Sequence, residues 1–215
     1  MATKEQLVLQ SKSRDFYAYT DIVIRRMTRR FVAMFQYMQG ELLNIDEMEI
    51  LKEVRSLYVD LDRIVRLNLL QLANEIYGEE NHFSPEWLNA ILRAFDPVTQ
   101  YVYEYEVNRK EQRCEESIIA VLEIKGSFNT PVKRAMDLWC YMANQYADTV
   151  TDKAFIEKMR DAGVQRVQWL TADDEKVCAK CAELDGKIFR IDDVPPKPHW
   201  RCRCRLKPIY EGILQ

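Results

Sequence analysis

Glycine and proline are scarce, six and seven in 215 residues, about half of their usual share. Turns must therefore be few and elements long, which favours helices. Histidine occurs only twice, and no Ser/His/Asp or Cys/His catalytic set can be assembled from what is present. Nor is there a glycine-rich phosphate loop. No apolar run approaches the roughly 18 to 20 residues of a membrane span, and Met1 to Gln10 has no signal-peptide core. The expectation is a chain made and kept in a reducing cytoplasm, away from membranes. Charge of one sign is missing too: 31 Lys and Arg against 34 Asp and Glu give a net charge of −3, which excludes a protein whose whole surface coats nucleic acid.

What is present is ordinary globular composition, 47% hydrophobic and 30% charged, far from that of a disordered chain. The length allows one domain, or one plus a small appendage. The net charge hides an asymmetry. From Lys176 to Gln215 nine cations stand against five acids, 9 − 5 = +4, leaving −7 for residues 1 to 175.

Apolar residues recur at helical spacing along the first two thirds of the chain. Phe16, Tyr19, Val23, Met27, Phe31, Met34 and Met38 predict a first helix ending near Gly40. Its other side carries Arg25, Arg26, Arg29 and Arg30, either a solvated face or a docking strip. Leu51, Val54, Tyr58, Leu61, Val65, Leu69, Leu72 and Ile76 predict a second helix of about 30 residues, with Asn44 or Asp46 able to cap it. Ser84-Pro85 and Asp96-Pro97 each read as a capping residue followed by proline at the first helical position. The run Tyr101 to Val107 alternates like a strand but is read as helix, because the helix-prone stretch Asn108 to Glu123 follows. Gly126 to Thr130 makes a break and Pro131 restarts a helix with Val132, Met136, Trp139, Ala143, Tyr146 and Val150 on its apolar face. Cys114 and Cys140 fall in helical patterns as packed thiols, and His82 reads as a loop histidine.

The character of the chain changes at Gly163. Val164 to Thr171 and Lys187 to Ile191 are short and β-leaning, and four of the seven prolines lie between Pro195 and Pro208. The expected architecture is mainly α: a long-helix N-terminal body, residues 1–163, and a small C-terminal β/loop module stabilised by zinc, residues 164–215.

The zinc expectation rests on Cys178-Ala-Lys-Cys181, followed by His199, Cys202 and Cys204. Five donors are available where tetrahedral zinc takes four, so either Cys202 or Cys204 is spare. A C-x-x-C turn presents two thiolates to one side of an ion and the returning segment closes the other. A redox or disulfide pair and unliganded thiols are the alternatives, and the redox one lacks the βαβ context it needs. A module of about 50 residues buries little apolar surface, and zinc binding of roughly 10 to 16 kcal/mol would offset that deficit. Because the protein supplies every ligand and no H-x-E precedes the cysteines, the zinc reads as structural and not catalytic. Between and beyond these ligands stand Arg201, Arg203, Arg205 and Lys207, a basic patch that is either simply solvated or in contact with DNA phosphate or an acidic partner.

The ordered set Trp169-Leu-Thr-Ala-x-Asp174, Val177-Cys-x-x-Cys181, Leu184-Asp-Gly-Lys187, Phe189, Pro195-Pro and His199-x-x-Cys-Arg-Cys204 resembles the C-terminal region of the phage Mu F-like minor head, or head morphogenesis, family. The resemblance covers about residues 140 to 207. It implies a non-enzymatic virion protein associated with the portal and with capsid or scaffold proteins, acting in head assembly or DNA exit, located in the head interior or near the portal and in the host cytoplasm during assembly. On that pattern Cys178, Cys181, His199 and Cys202 fall at metal-ligand positions and Leu184-Asp185-Gly186 at a turn. This chain reads His199-Trp-Arg-Cys202 where the family commonly has His-Pro-Asn-Cys. The alternative reading is a zinc-containing nucleic-acid-binding protein that uses the C-terminal arginines, with non-specific contact to packaged DNA. An ADP-ribosyltransferase-like enzyme would use a Glu-x-Glu, but Glu47-Met-Glu49 and Glu104-Tyr-Glu106 both lie in helical stripes.

Overall fold

The computed structural model describes residues 47–97, 100–123, 146–199 and 202–210, with residues 18, 21, 22, 25, 26, 29, 32 and 33 ahead of them. Those eight residues are helical and are called α1 here. There follow α2 (Glu47–Tyr77), α3 (Pro85–Arg93), α4 (Tyr103–Glu123), α5 (146–161), β1 (Arg166–Leu170), α6 (Ala179–Leu184), β2 (Ile188–Arg190) and β3 (Arg205–Ile209). A single 3-10 turn, Ile191–Asp193, follows β2. The apolar residues expected on the first helix, its end at Gly40, the cap at Asn44 or Asp46, Cys140 and the 126–131 break all lie outside the described residues.

The predicted second helix is α2, 31 residues long. Val54, Tyr58, Leu61, Val65, Leu69, Leu72 and Ile76 on its stripe are all buried, because a period of 3.6 keeps them on one face. They meet Leu88 and Leu92 of α3, Val107, Cys114 and Ile118 of α4, and Tyr146, Val150, Ala154 and Met159 of α5 in one core. Cys114 is the packed thiol expected of it. Polar groups fix the crossing of three helices: Arg66 on α2 donates to Asp62 at 2.6 Å and to Asn89 on α3 at 2.7 Å, while the Tyr103 hydroxyl at the start of α4 donates to Asp62 at 3.0 Å.

Ser84 caps α3 as expected, its Oγ accepting from the Trp87 N–H at 3.3 Å with Pro85 in the first turn. Asp96-Pro97 does not start a helix. Asp96 instead bridges back to Tyr101 through its N–H at 3.0 Å, the turn being closed by Gln100 at φ 62°, and α4 begins only at Tyr103. The Asp96 carboxylate, free of the capping role, accepts from the Thr149 hydroxyl at 3.3 Å.

Helix α5 ends at Gly163, whose φ of 75° suits glycine. The Val164 N–H reaches the Met159 carbonyl at 2.9 Å and the Gly163 N–H reaches that of Arg160 at 2.9 Å, the paired bonds of a Schellman stop. Val164 and Met159 are both in the core, so the stop also aims the chain into β1. The two β-leaning segments form β1 and β2, and a third strand, β3, completes an antiparallel sheet in the order β2-β1-β3.

Candidate metal centre

The sheet positions a sulfur cluster at its inner face. Trp169 on β1, Cys181, Cys202 and Cys204 make a second buried cluster, flanked by Val177, Cys178, Leu184, Phe189 and Leu206. Cys178 is the cap of the short helix α6, its Sγ accepting from the Cys181 N–H at 3.4 Å. The C-x-x-C spacing thus spans one capped turn, which brings both thiols to one side. Past α6 the chain turns at Asp185 and Gly186, where φ at Gly186 is 73°, and Asp185 Oδ1 accepts from the Thr171 N–H at 2.8 Å and its hydroxyl at 3.0 Å. This ties the end of β1 to the end of α6. Cys202 and Cys204 lie just ahead of β3, both buried.

All five predicted donors come together. Cys178, Cys181 and His199 form one group and Cys181, Cys202 and Cys204 another, the ligand atoms of each within 4.8 Å of one another. Cys181 is common to both, with its Sγ 3.1 Å from His199 Nε2 and 3.6 Å from Cys202 Sγ. A zinc tetrahedron with Zn–S near 2.3 Å has sulfur–sulfur edges of about 3.8 Å, close to the 3.6 Å between Cys181 and Cys202, while the five donors fall into two groups of three that share Cys181. These spacings do not fit a disulfide, whose S–S length is about 2.05 Å; all five described cysteines are free thiols. Sulfur and imidazole together suit a borderline-soft cation, so the cluster could hold a metal.

Protons are unevenly held there. Burial pushes the Cys181 thiol up to about 12, with Cys204 and Cys178 adding to it. Cys202 is also raised, first by its hydrogen bond to Cys204 and then by burial. Cys204 moves the other way, down to about 6, because Cys202 donates to it. The buried Trp169 Nε1–H, which has no partner at ordinary hydrogen-bond geometry, pushes Cys204 weakly in the same direction. Hydrogen bonding among the three sulfurs thus favours the charged form at Cys204 and the neutral form at Cys181 and Cys202. A cation that displaces the other protons would bind more tightly as pH rises.

The predicted basic patch fares unevenly. Arg203 is exposed but forks onto Asp174, Nη2 to Oδ1 at 2.6 Å and Nη1 to Oδ2, and its pull holds the Asp174 carboxyl below the usual range. Sequence reasoning missed Asp174 in this role, since nothing in a 29-residue separation signals it. Arg205 is half-buried with its Nε shielded and without a partner, Lys207 is exposed, and Arg201 lies outside the described residues. On α1, Arg25, Arg26 and Arg29 are exposed, Arg25 bonding Asp21 at 2.7 Å; Arg30 lies outside. Glu104 is engaged by Arg93 and Arg66, and Glu106 is buried against Arg109. His82 stacks on Tyr77 at 3.4 Å in the connection before α3.

Fold and site define a mainly helical protein with a small antiparallel sheet whose inner side carries a candidate Cys/His metal centre. Residues 128–207 match the family model described as Phage Mu protein F like protein, which bears out the resemblance seen in the sequence. The matched segment contains all three strands up to Lys207 and all five donors. No curated protein and no solved structure matches the chain. Among the described residues no helix is long and apolar enough to cross a membrane.

Proposed function

We propose that this chain is a minor structural protein of a phage head, carried in the virion inside the head or near the portal, and that it acts in head morphogenesis or DNA exit and not as an enzyme. The observation that carries this reading is the coincidence of the family match over residues 128–207 with the segment that holds the sheet and the donor cluster. In this reading residues 1–163 form a helical body that meets portal, capsid or scaffold proteins. Residues 164–215 form a module pinned by structural zinc, held by Cys181 and three of Cys178, His199, Cys202 and Cys204. Mass spectrometry of purified particles tests it: the chain is expected in a few copies, copurifying with portal and head proteins. Its absence from particles would refute the assignment.

The alternative of a nucleic-acid binder built on Arg201, Arg203, Arg205 and Lys207 loses support from the geometry. Arg203 serves Asp174, and Arg205 is half-buried.

A further inference from the structure

A cavity of about 310 Å³ lies between the helical body and the sheet, at the small end of the roughly 300 to 1,000 Å³ of ligand pockets. Four segments wall it: the turn after α3, helix α5, the proline stretch 194–197 and the start of β3. Its surface is mostly hydrocarbon, from Ile91, Phe95, Ile156, Pro195, Pro196 and Leu206. Phe95 is 63% exposed, so a large apolar side chain stands in water at the rim. His199 and Cys204 reach the same cavity from the donor cluster.

The aspartates, lysines and arginine on these walls are accounted for with one exception. Asp152 pairs with Lys197 at 3.1 Å, Asp148 adds its charge to the same lysine, and Lys153 adds its own to Asp152. Asp96 is buried and accepts from the Thr149 hydroxyl. Arg205 is the exception. It is half-buried, its Nε is shielded and without an acceptor, and it forms no ion pair among the described residues. A guanidinium withdrawn from water without an acceptor is a cost to the fold. A carboxylate would relieve that cost, since the two groups meet in a fork of parallel hydrogen bonds. Trp169, 3% exposed on the same wall, likewise has no partner at ordinary geometry for its Nε1–H. Both unmatched groups are donors, so the wall calls for an acceptor.

We infer that this cavity is a binding site for a small amphipathic carboxylic acid, a fatty or aryl acid whose carboxylate is gripped by Arg205 and whose hydrocarbon body lies against Phe95, Ile156, Pro195 and Leu206. Charge complementarity at one point and apolar walls elsewhere define that class: an inorganic anion would leave the walls unused, and a neutral hydrocarbon would leave the guanidinium unmatched. The volume suits the body of one small molecule and not a stretch of partner chain. The inference rests on this cavity alone and stands apart from the head-protein assignment and from the identity of any metal.

The test uses the full chain and anilinonaphthalene sulfonate, an anionic aryl probe that fluoresces in apolar surroundings, displaced by octanoate or by octanol, which share a hydrocarbon chain and differ in charge. Octanoate should displace the probe, and octanol should need at least about tenfold more, the difference that a charge-assisted fork makes. R205Q should weaken octanoate by about tenfold or more and leave octanol unchanged. K207Q, which removes the same charge from an exposed position outside the cavity, should change neither. Should R205Q fail to fold, R205K keeps the charge without the fork and should still weaken octanoate but not octanol; the comparison of acid with alcohol needs no variant at all. A probe that does not bind, no displacement by octanoate at about 1 mM, or octanol as effective as octanoate overturns the inference. So does a folded R205Q chain that binds octanoate as tightly as the natural one. Displacement by a leucine-rich peptide bearing one glutamate, but not by octanoate, also overturns it and makes the cavity an anchor point for a partner protein.

Discussion

At the scale of single residues, the fork between Arg203 and Asp174 joins the two segments that bear the metal donors. Asp174 lies four residues before Cys178, and Arg203 lies between Cys202 and Cys204. Groups that hold ligands in place typically change metal affinity by about 10- to 100-fold when removed, so Asp174→Asn should weaken zinc by about tenfold in a chelator competition. The pH sign follows from the lowered Asp174 pKa. A depressed carboxyl stabilises the fold above its ordinary value and loses that contribution as pH falls through its folded value, so the fork matters fully at neutral pH and fades progressively below about pH 4. Buried acids of the helical core act in the opposite direction. Burial raises Cys114 to about 11, and burial chiefly raises Tyr58 and Tyr103 as well. Such groups stabilise the fold below their unfolded pKa values and cease to as pH rises through the folded ones. Denaturant midpoints should therefore hold up to about pH 9 and fall beyond it, and Cys114→Val should remove part of the fall.

At the scale of elements, stops and caps decide where secondary structure ends. Gly163→Ala forces a side chain into the left-handed region and should cost about 1 to 2 kcal/mol, measured by chemical denaturation, whereas Ser84→Ala should cost about 1 kcal/mol through loss of the cap on α3. The second helix and its buried stripe were readable from spacing, α3 from the Ser84-Pro85 cap, and the strands at Arg166 and Ile188 from short β-leaning stretches. Asp96-Pro97 misled because the same residue pair serves a turn, and the choice was made by Tyr101 and Thr149, partners that local sequence does not name. Strand β3 was hidden by its composition, Arg-Leu-Lys-Pro-Ile. Proline in a strand is tolerated at an edge, and β3 is one of the two edges in the order β2-β1-β3, with Pro208 opposite Val167. The cysteine spacing marked all five donors, but the Arg203–Asp174 fork between their two segments exists only once the module has formed.

At the scale of the whole molecule, the sheet is anchored twice. Val164, Val167 and Ile191 belong to the main helical core, while Trp169 and the cysteines form the second cluster, and Phe189, Val194 and Leu206 touch both. A module held only by an ion would unfold without it; one that also shares a core should lose only the part the ion organises. On the proposed zinc site, chelation should leave the far-ultraviolet helix signal nearly intact and lower the thermal midpoint of the sheet. Loss of the ion should loosen the segments that carry Cys178, Cys181, Cys202 and Cys204, so these thiols should react faster with a thiol reagent than before chelation, while Cys114, packed in the helical core, stays protected until global unfolding. Mass spectrometry of the alkylated protein reads both outcomes. Stoichiometric zinc whose removal melts the helices in the same step would show that the two cores are one cooperative unit; four thiols equally reactive before and after chelation would show that no ion holds them.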